Sequence, residues 1–366
     1  MVQSYDVGSL PFFGDLEKFL KGARGFEKNA ADESTNYFEK TVVNVLLDKL
    51  ATGIDIANFP QLRGMNEMFL SMFSGLERLR EGYVETSPLA LEPGDGCLPE
   101  VTAIKKNADV IHERCRRHFV VKLCVTGPYT LASLFPYRTS EIFTRLGKVL
   151  SRVIEANIFD EKTCRVGIIS MDEPIFGLLN DPLIDRGSPG RQNLFKAWDD
   201  IFRSAKAKKA ETCLHLHSTA DDLFWEVEPL DIVESHVGDP IYDSSVTKSR
   251  LEREDKVLKA SACIVDFDEL IREGVAKTSG ERLNDLALND AVATTWKKFQ
   301  EGTIEAETFL ETSDAMRRRI NEVVKRFGIE RVPYAGPECG LRGFPSYESA
   351  LECLRRVSVA VRSSEG

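Results

Sequence analysis

His215 and His217 stand two residues apart in the run "CLHLHST". On a β-strand that spacing sends both imidazoles to one face. If the face is the inside of a barrel, the two rings can converge on one ion. Glu234, in "LDIVESH", and Cys339, in "PECGLRG", would complete a mixed nitrogen, oxygen and sulfur tetrahedron of the kind zinc accepts. Cys213 shares the face of His215 but lies roughly 7 Å below it at strand rise, which makes it core. His236, beside Glu234, competes with His217 for the fourth ligand position. Simpler readings exist for each residue: a hydrogen-bonded histidine pair, a packing cysteine before glycine, and a glutamate that is solvated or paired with arginine.

Such residues need elements to hold them. Short apolar runs recur near Tyr5–Val7, Ile54–Ala57, Phe119–Val125, Val166–Met171, Thr212–Leu216, Leu230–Val233, Val257–Val265 and Val332–Ala335. Between them lie stretches of helical period, such as Asn193–Ala207 and Thr308–Phe327, the latter with a basic face over a packed one. Alternating strands and helices imply a parallel sheet, and eight strands favour closure into a single (β/α)8 barrel spanning residues 1–366. Two segments read as additions to the barrel: residues 86–99, rich in proline, glycine and acid, and residues 278–305, expected to be helical.

Chemistry in such a barrel belongs at the C-terminal ends of the strands. Those ends carry Gly8 and Ser9; Arg63; Thr126, Gly127 and Pro128; Asp172 and Glu173; His215 and His217; Glu234 and His236; Asp266 and Asp268; and Cys339.

The 366 residues are 42% hydrophobic and 29% charged, the profile of a globular protein with a large core. The net charge of −10 argues against nucleic acid or an anionic membrane as the main partner. No run reaches the roughly 20 apolar residues of a membrane span, and "MVQSYDVGSL" lacks the pattern of a secretory signal. Eight scattered cysteines without a C-x-x-C pair suit a reducing cytoplasm.

From "VGSLP" near the start to "PECGLRGFPSYESALECL" near the end, with "VTGP" and "MDEP" between, the chain resembles the catalytic domain of cobalamin-independent methionine synthase in its short archaeal form. The resemblance is most specific at Pro337, Glu338, Cys339, Gly340, Leu341, Arg342, Gly343 and Phe344. It implies zinc ligands at His215, Glu234 and Cys339, and methylation of a zinc-bound thiolate. Homocysteine is the default acceptor. The donor would be a methylfolate, a methylpterin or a methylcorrinoid, the last on a corrinoid protein partner.

Ser9, with Gly8 in the same turn, would hold the substrate carboxylate, and Asp172 would face its ammonium. The family's H-x-C pattern reads H-x-H here, so His217 replaces a thiolate and leaves the site more positive by about one unit. The family's second acid after strand two is replaced by Arg63, which suits an additional anionic group such as the sulfonate of coenzyme M, or else pairs with Asp172 or Glu173. The family's proton-donating histidine after strand seven is absent, with Asp266 or Asp268 in its place. Two other readings stay open: a metal-free decarboxylase of the uroporphyrinogen type, built on Arg63 and Asp55, and an inactive metal-binding or corrinoid-protein partner.

Overall fold

The computed structural model describes residues 1–28, 30–91, 96–178, 180–279 and 284–364. Among the described residues ten strands form: β1 Gln3–Ser4, β2 Ile56–Asn58, β3 Phe73–Leu79, β4 Gly82–Leu91, β5 Phe119–Thr126, β6 Cys164–Glu173, β7 Glu211–Leu216, β8 Ile232–Glu234, β9 Val257–Cys263 and β10 Tyr334–Pro337. Eight of them make one parallel sheet in the order β1-β10-β9-β8-β7-β6-β5-β2. A parallel bridge from Tyr5 to Ile56 joins its two ends, so the sheet closes into a (β/α)8 barrel. Seven of the eight apolar runs overlap one of these strands, and the first, Tyr5–Val7, begins directly after β1.

The barrel floor is a layer of inward side chains: Tyr5, Ile56, Ile168, Cys213, Ile232 and Tyr334, all buried. Because side chains alternate along a strand, residues two further on form the next layer. There the interior turns polar, with Lys122, Lys259, His215 and Glu234 fully or nearly fully buried. This polar layer is the foundation of the site.

The helices outside bury one stripe each. Residues Met316, Ile320, Val323 and Phe327 of the Ser313–Phe327 helix face the barrel, each contributing about 1.5–3 kcal/mol by burial. The helix starts later than its period suggests because Thr312 caps it, accepting from the Ala315 N–H. The helices Ile142–Asn157 and Pro189–Ala207 pack against each other closely enough that a Cβ on Gly147 would sit 2.7 Å from that of Ala197.

The first addition to the barrel begins earlier than the composition of residues 86–99 indicates. It is an antiparallel ribbon of β3 and β4, with a turn into Gly82 at φ +145°. Largely exposed or half-buried along its length, the ribbon carries no apolar run to announce it. Residues 92–95 of that segment lie outside the described residues. Within residues 278–305 a helix spans Asp285–Gln300, while residues 280–283 lie outside the described residues.

Candidate metal centre

Register places the site. Parallel pairing sets Thr126 opposite Asp172, Asp172 opposite His215, and His215 opposite Glu234, one row across four strands. His217 follows His215 by two residues and His236 follows Glu234 by two, so both stand one layer higher, at the mouth. Cys339 enters from the loop after β10. One ligand atom from each of His215, His217, His236 and Cys339 falls within 4.8 Å of the other three. The three imidazole centroids lie 4.0–6.0 Å apart, and Cys339 Sγ is 3.5 Å from His217 Nε2. Thus His217 and His236, expected as alternatives, both join the group.

Glu234, expected as a ligand, is not in that group. Its carboxylate is held one layer down. The Tyr5 hydroxyl donates to Oε2 at 2.5 Å, and the Lys259 and Lys122 ammonium groups stand at 3.5 and 3.7 Å. Oε1 lies 3.1 Å from His215 Nδ1. A carboxylate behind a metal-ligating imidazole fixes the ring and raises its basicity. Burial opposes the Glu234 charge, but Lys122, Lys259 and His215 outweigh it and hold its pKa well below the usual value.

The donors fit a metal on their own chemistry. Both ring nitrogens of His215 and Nε2 of His236 are buried without an aligned hydrogen-bond partner among the described residues. Buried polar atoms are rarely left so unless a ligand satisfies them. Burial disfavours ionisation of Cys339, yet His215 and His217 overcome it and bring the thiol down to about 5. His215, despite burial, is pushed up to about 10 by Cys339 and Glu234. Burial lowers His217 and His236, which favours the neutral form with a ring lone pair free to bind a metal. Three imidazoles and one thiolate form a set that suits zinc.

The remaining expected residues occupy several different positions in the fold. Gly340, next to Cys339, lies against Ser9: a Cβ on it would meet Ser9 Oγ at 2.6 Å, and the Leu341 N–H donates to the Ser9 carbonyl at 2.7 Å. The glycine of "ECG" is therefore what lets the first turn, with Gly8 and Ser9, approach the cysteine loop. Asp172 is buried in the row of His215 and accepts from Ser170 Oγ at 3.1 Å; burial raises its carboxyl to about 6. Thr126 donates to the Met65 carbonyl at 2.9 Å, tying β5 to the loop after β2.

Glu173 accepts from the Tyr129 and Thr130 N–H groups, the Thr130 hydroxyl and the Trp198 indole. A Cβ at Gly127 would sit 2.3 Å from that carboxylate, which accounts for the glycine of "VTGP". Arg63 pairs neither with Asp172 nor with Glu173. It forms a bidentate bridge at 2.7 and 2.8 Å to Glu100, a fully buried residue with no motif to mark it.

Asp268 is exposed at the start of the Phe267–Ser279 helix and accepts from Trp296 Nε1 at 2.6 Å. It lines a cavity of about 630 Å³ that also touches His236 and Cys339. A larger cavity, about 1070 Å³, lies outside the barrel against Arg63 and the ribbon and touches none of the four donors. Cys213 is core, its Sγ 3.7 Å from the Tyr5 hydroxyl.

Missed by motif were Lys122, Lys259 and Tyr5. The signal for the two lysines was present: "FVVKLCV" and "VLKASAC" each set one lysine inside an apolar strand.

No protein-family model matches the chain, and no curated protein matches it. Solved structures do. A B12-independent methionine synthase from Shewanella sp. W3-18-1, in complex with selenomethionine, is 15% identical over 100% of this chain and 99% of its own, with a TM-score of 0.59. A candidate vitamin-B12-independent methionine synthase from Listeria monocytogenes is 16% identical over 100% and 99%, at 0.58. A methyltransferase from Methanosarcina mazei is 12% identical over 99% and 94%, at 0.52. At these identities the likeness is one of fold, and the chain has the fold of the cobalamin-independent methionine synthases and of that methyltransferase.

Proposed function

We propose that this protein is a zinc-dependent thiol methyltransferase, with His215, His217, His236 and Cys339 holding the metal. The observation that carries the proposal is the convergence of these four donors, with the buried Nε2 atoms of His215 and His236 lacking a hydrogen-bond partner among the described residues. Zinc bound there would supply the Lewis acidity that turns a coordinated substrate thiol into its thiolate at neutral pH. With four protein donors available to a zinc ion, a substrate sulfur would have to replace one of them. His217, His236 and Cys339 are only partly buried, whereas His215 is buried.

Glu234 orients His215 from below. Asp172 offers a carboxylate to a substrate ammonium, Gly8 and Ser9 offer backbone and hydroxyl donors to its carboxylate, and Thr126 fixes the wall beside Asp172. An amino-acid thiol, homocysteine by the sequence resemblance, is favoured over coenzyme M. The reason is that Glu100 already neutralises Arg63, the group that would recognise a sulfonate. Asp268 belongs to the donor side of the centre. Eight free cysteines suit a reducing cytoplasm, and among the described residues no helix is long and apolar enough to cross a membrane.

The test combines metal analysis with alkylation. The purified protein is expected to carry one zinc per chain and to methylate homocysteine from at least one donor. Zinc and activity are both expected to be lost in Cys339→Ala and His215→Ala. Failure to take up zinc, even on titration, overturns the proposal.

A further inference from the structure

Lys49 lies in the last turn of the Glu33–Ala51 helix, outside the barrel, and its side chain is wholly buried. The ammonium donates to the Gly8 carbonyl at 2.9 Å and to the Asn58 carbonyl at 3.2 Å, and pairs with Asp6 Oδ2 at 2.6 Å. Asp6 is buried as well, and its other oxygen accepts from the Asn58 N–H. A buried ion pair is often no more stable than apolar residues of the same volume, so stability alone does not call for this one. What sets it apart is the Gly8 carbonyl, which belongs to the turn that follows β1.

A peptide unit is planar, and in the trans form its C=O and N–H point in opposite directions. The Gly8 carbonyl shares its unit with the Ser9 N–H, and no peptide bond among the described residues is cis. By holding the carbonyl, Lys49 sets the direction of that N–H and polarises it as a donor. The preceding unit is held in the same way, since Lys122 of β5 donates to the Val7 carbonyl at 2.8 Å. Among the described residues the Ser9 N–H has no acceptor of its own. Its nitrogen lies beside the cysteine loop, where a Cβ on Gly340 would stand 3.1 Å from it. An oriented backbone N–H with no protein acceptor, next to the metal centre, is a receptor for an anionic oxygen.

We infer that Lys49 is a positioning residue for the thiol substrate, acting through the Gly8–Ser9 peptide on the substrate carboxylate. The inference rests on the reading above that Gly8 and Ser9 receive that carboxylate, and adds the group that aims the donor. The ammonium itself touches no substrate, and Asp6 supplies its counter-charge. Its effect is on selectivity. A ligand with the carboxylate gains from the aimed N–H, and the same ligand without it gains nothing.

The test uses the expected product and its decarboxylated form, methionine and 3-(methylthio)propylamine, each titrated by calorimetry into the protein as purified. The unmodified protein should bind methionine at least about tenfold more tightly, the scale of a hydrogen bond to a charged group. Lys49→Met alone strands a buried Asp6 and risks misfolding. Lys49→Met combined with Asp6→Asn removes both charges and leaves the net charge unchanged. In that double variant the preference should fall by about tenfold. Asp6→Asn alone leaves the ammonium on Gly8 and should keep the preference. If Lys49 only balances Asp6, the double variant keeps the preference of the unmodified protein, and that result overturns the inference. An equal loss in Asp6→Asn alone also overturns it.

A second measurement needs no substitution. With isotope-labelled glycine carbonyls and serine nitrogens, only Gly8–Ser9 and Gly187–Ser188 carry a doubly labelled peptide bond. Methionine should move the Ser9 amide resonance, and the amine should not. An unmoved Ser9 resonance with methionine bound overturns the inference. Failure of the underlying reading looks different. Equal binding of the two ligands by the unmodified protein removes the carboxylate site, and binding of neither removes the amino-acid thiol as substrate. The inference falls with either.

Discussion

Replacing Glu234 by glutamine separates an orienting carboxylate from a metal ligand. The side chain is wholly buried, accepts from Tyr5 at 2.5 Å and lies 3.5–3.7 Å from two wholly buried ammonium groups. Glutamine keeps the shape and removes the charge. Lys122, whose pKa Glu234 raises against the opposing effect of burial, then loses its main counter-charge. Breaking a buried ion pair from one side costs about 3–5 kcal/mol. The metal-free variant should therefore unfold at lower urea concentration by that free energy near pH 7.

The folded pKa of Glu234 is depressed, so its contribution is complete above the unfolded value and fades as pH falls toward the folded one. The gap between wild type and variant should accordingly narrow in acid. Metal affinity supplies the second reading. Loss of a carboxylate behind a ligating imidazole weakens binding about 10–100-fold. Stoichiometric zinc at micromolar excess would then survive. A variant that binds no zinc at any concentration, yet remains folded, would refute the orienting role.

Other substitutions probe separate parts of the structure. Arg63→Ala strands the buried Glu100 carboxylate and should cost about 3–5 kcal/mol without changing zinc content, as read by urea unfolding and elemental analysis. Asp172, raised from 3.8 to about 6 by burial, binds its proton more tightly when folded, so it destabilises the metal-free protein as pH rises between those values. Asp172→Asn should be more stable at pH 8 by up to about 3 kcal/mol, at 1.36 kcal/mol per unit, with the gain fading below pH 6. Glu173→Gln points an amide at four existing donors and should cost about 1–3 kcal/mol in thermal or urea unfolding. Gly340→Ala forces the cysteine loop off Ser9 and should raise KM for the thiol more than it lowers kcat.

The barrel was legible because strands buried on both faces leave continuous apolar runs, and seven of the eight runs overlap a strand of the closed sheet while the first begins directly after β1. The ribbon from Phe73 to Leu91 was not, since its mostly exposed residues carry no such run. His215 and His217 were legible through period-two spacing on one strand. Placing His236 with them required the register of β7 against β8, which depends on how the sheet closes rather than on either strand alone. Glu234 shows the limit of reading by residue type. Its carboxylate could serve a metal or two lysines, and Lys122 and Lys259 reach it from other strands, β5 and β9. The Arg63–Glu100 bridge was hidden for the same reason: Glu100 stands in the first turn of a helix, with nothing local to pair it with a loop 37 residues earlier.

X-ray absorption at the zinc edge of the substrate-free protein addresses the metal centre most directly. Three imidazoles and one cysteine predict one sulfur at about 2.3 Å and three nitrogens at about 2.0–2.1 Å. The same shell should persist in Glu234→Gln and lose one imidazole in His236→Ala. A shell with a carboxylate oxygen that disappears in Glu234→Gln, or an absence of bound zinc, would contradict the four-donor centre.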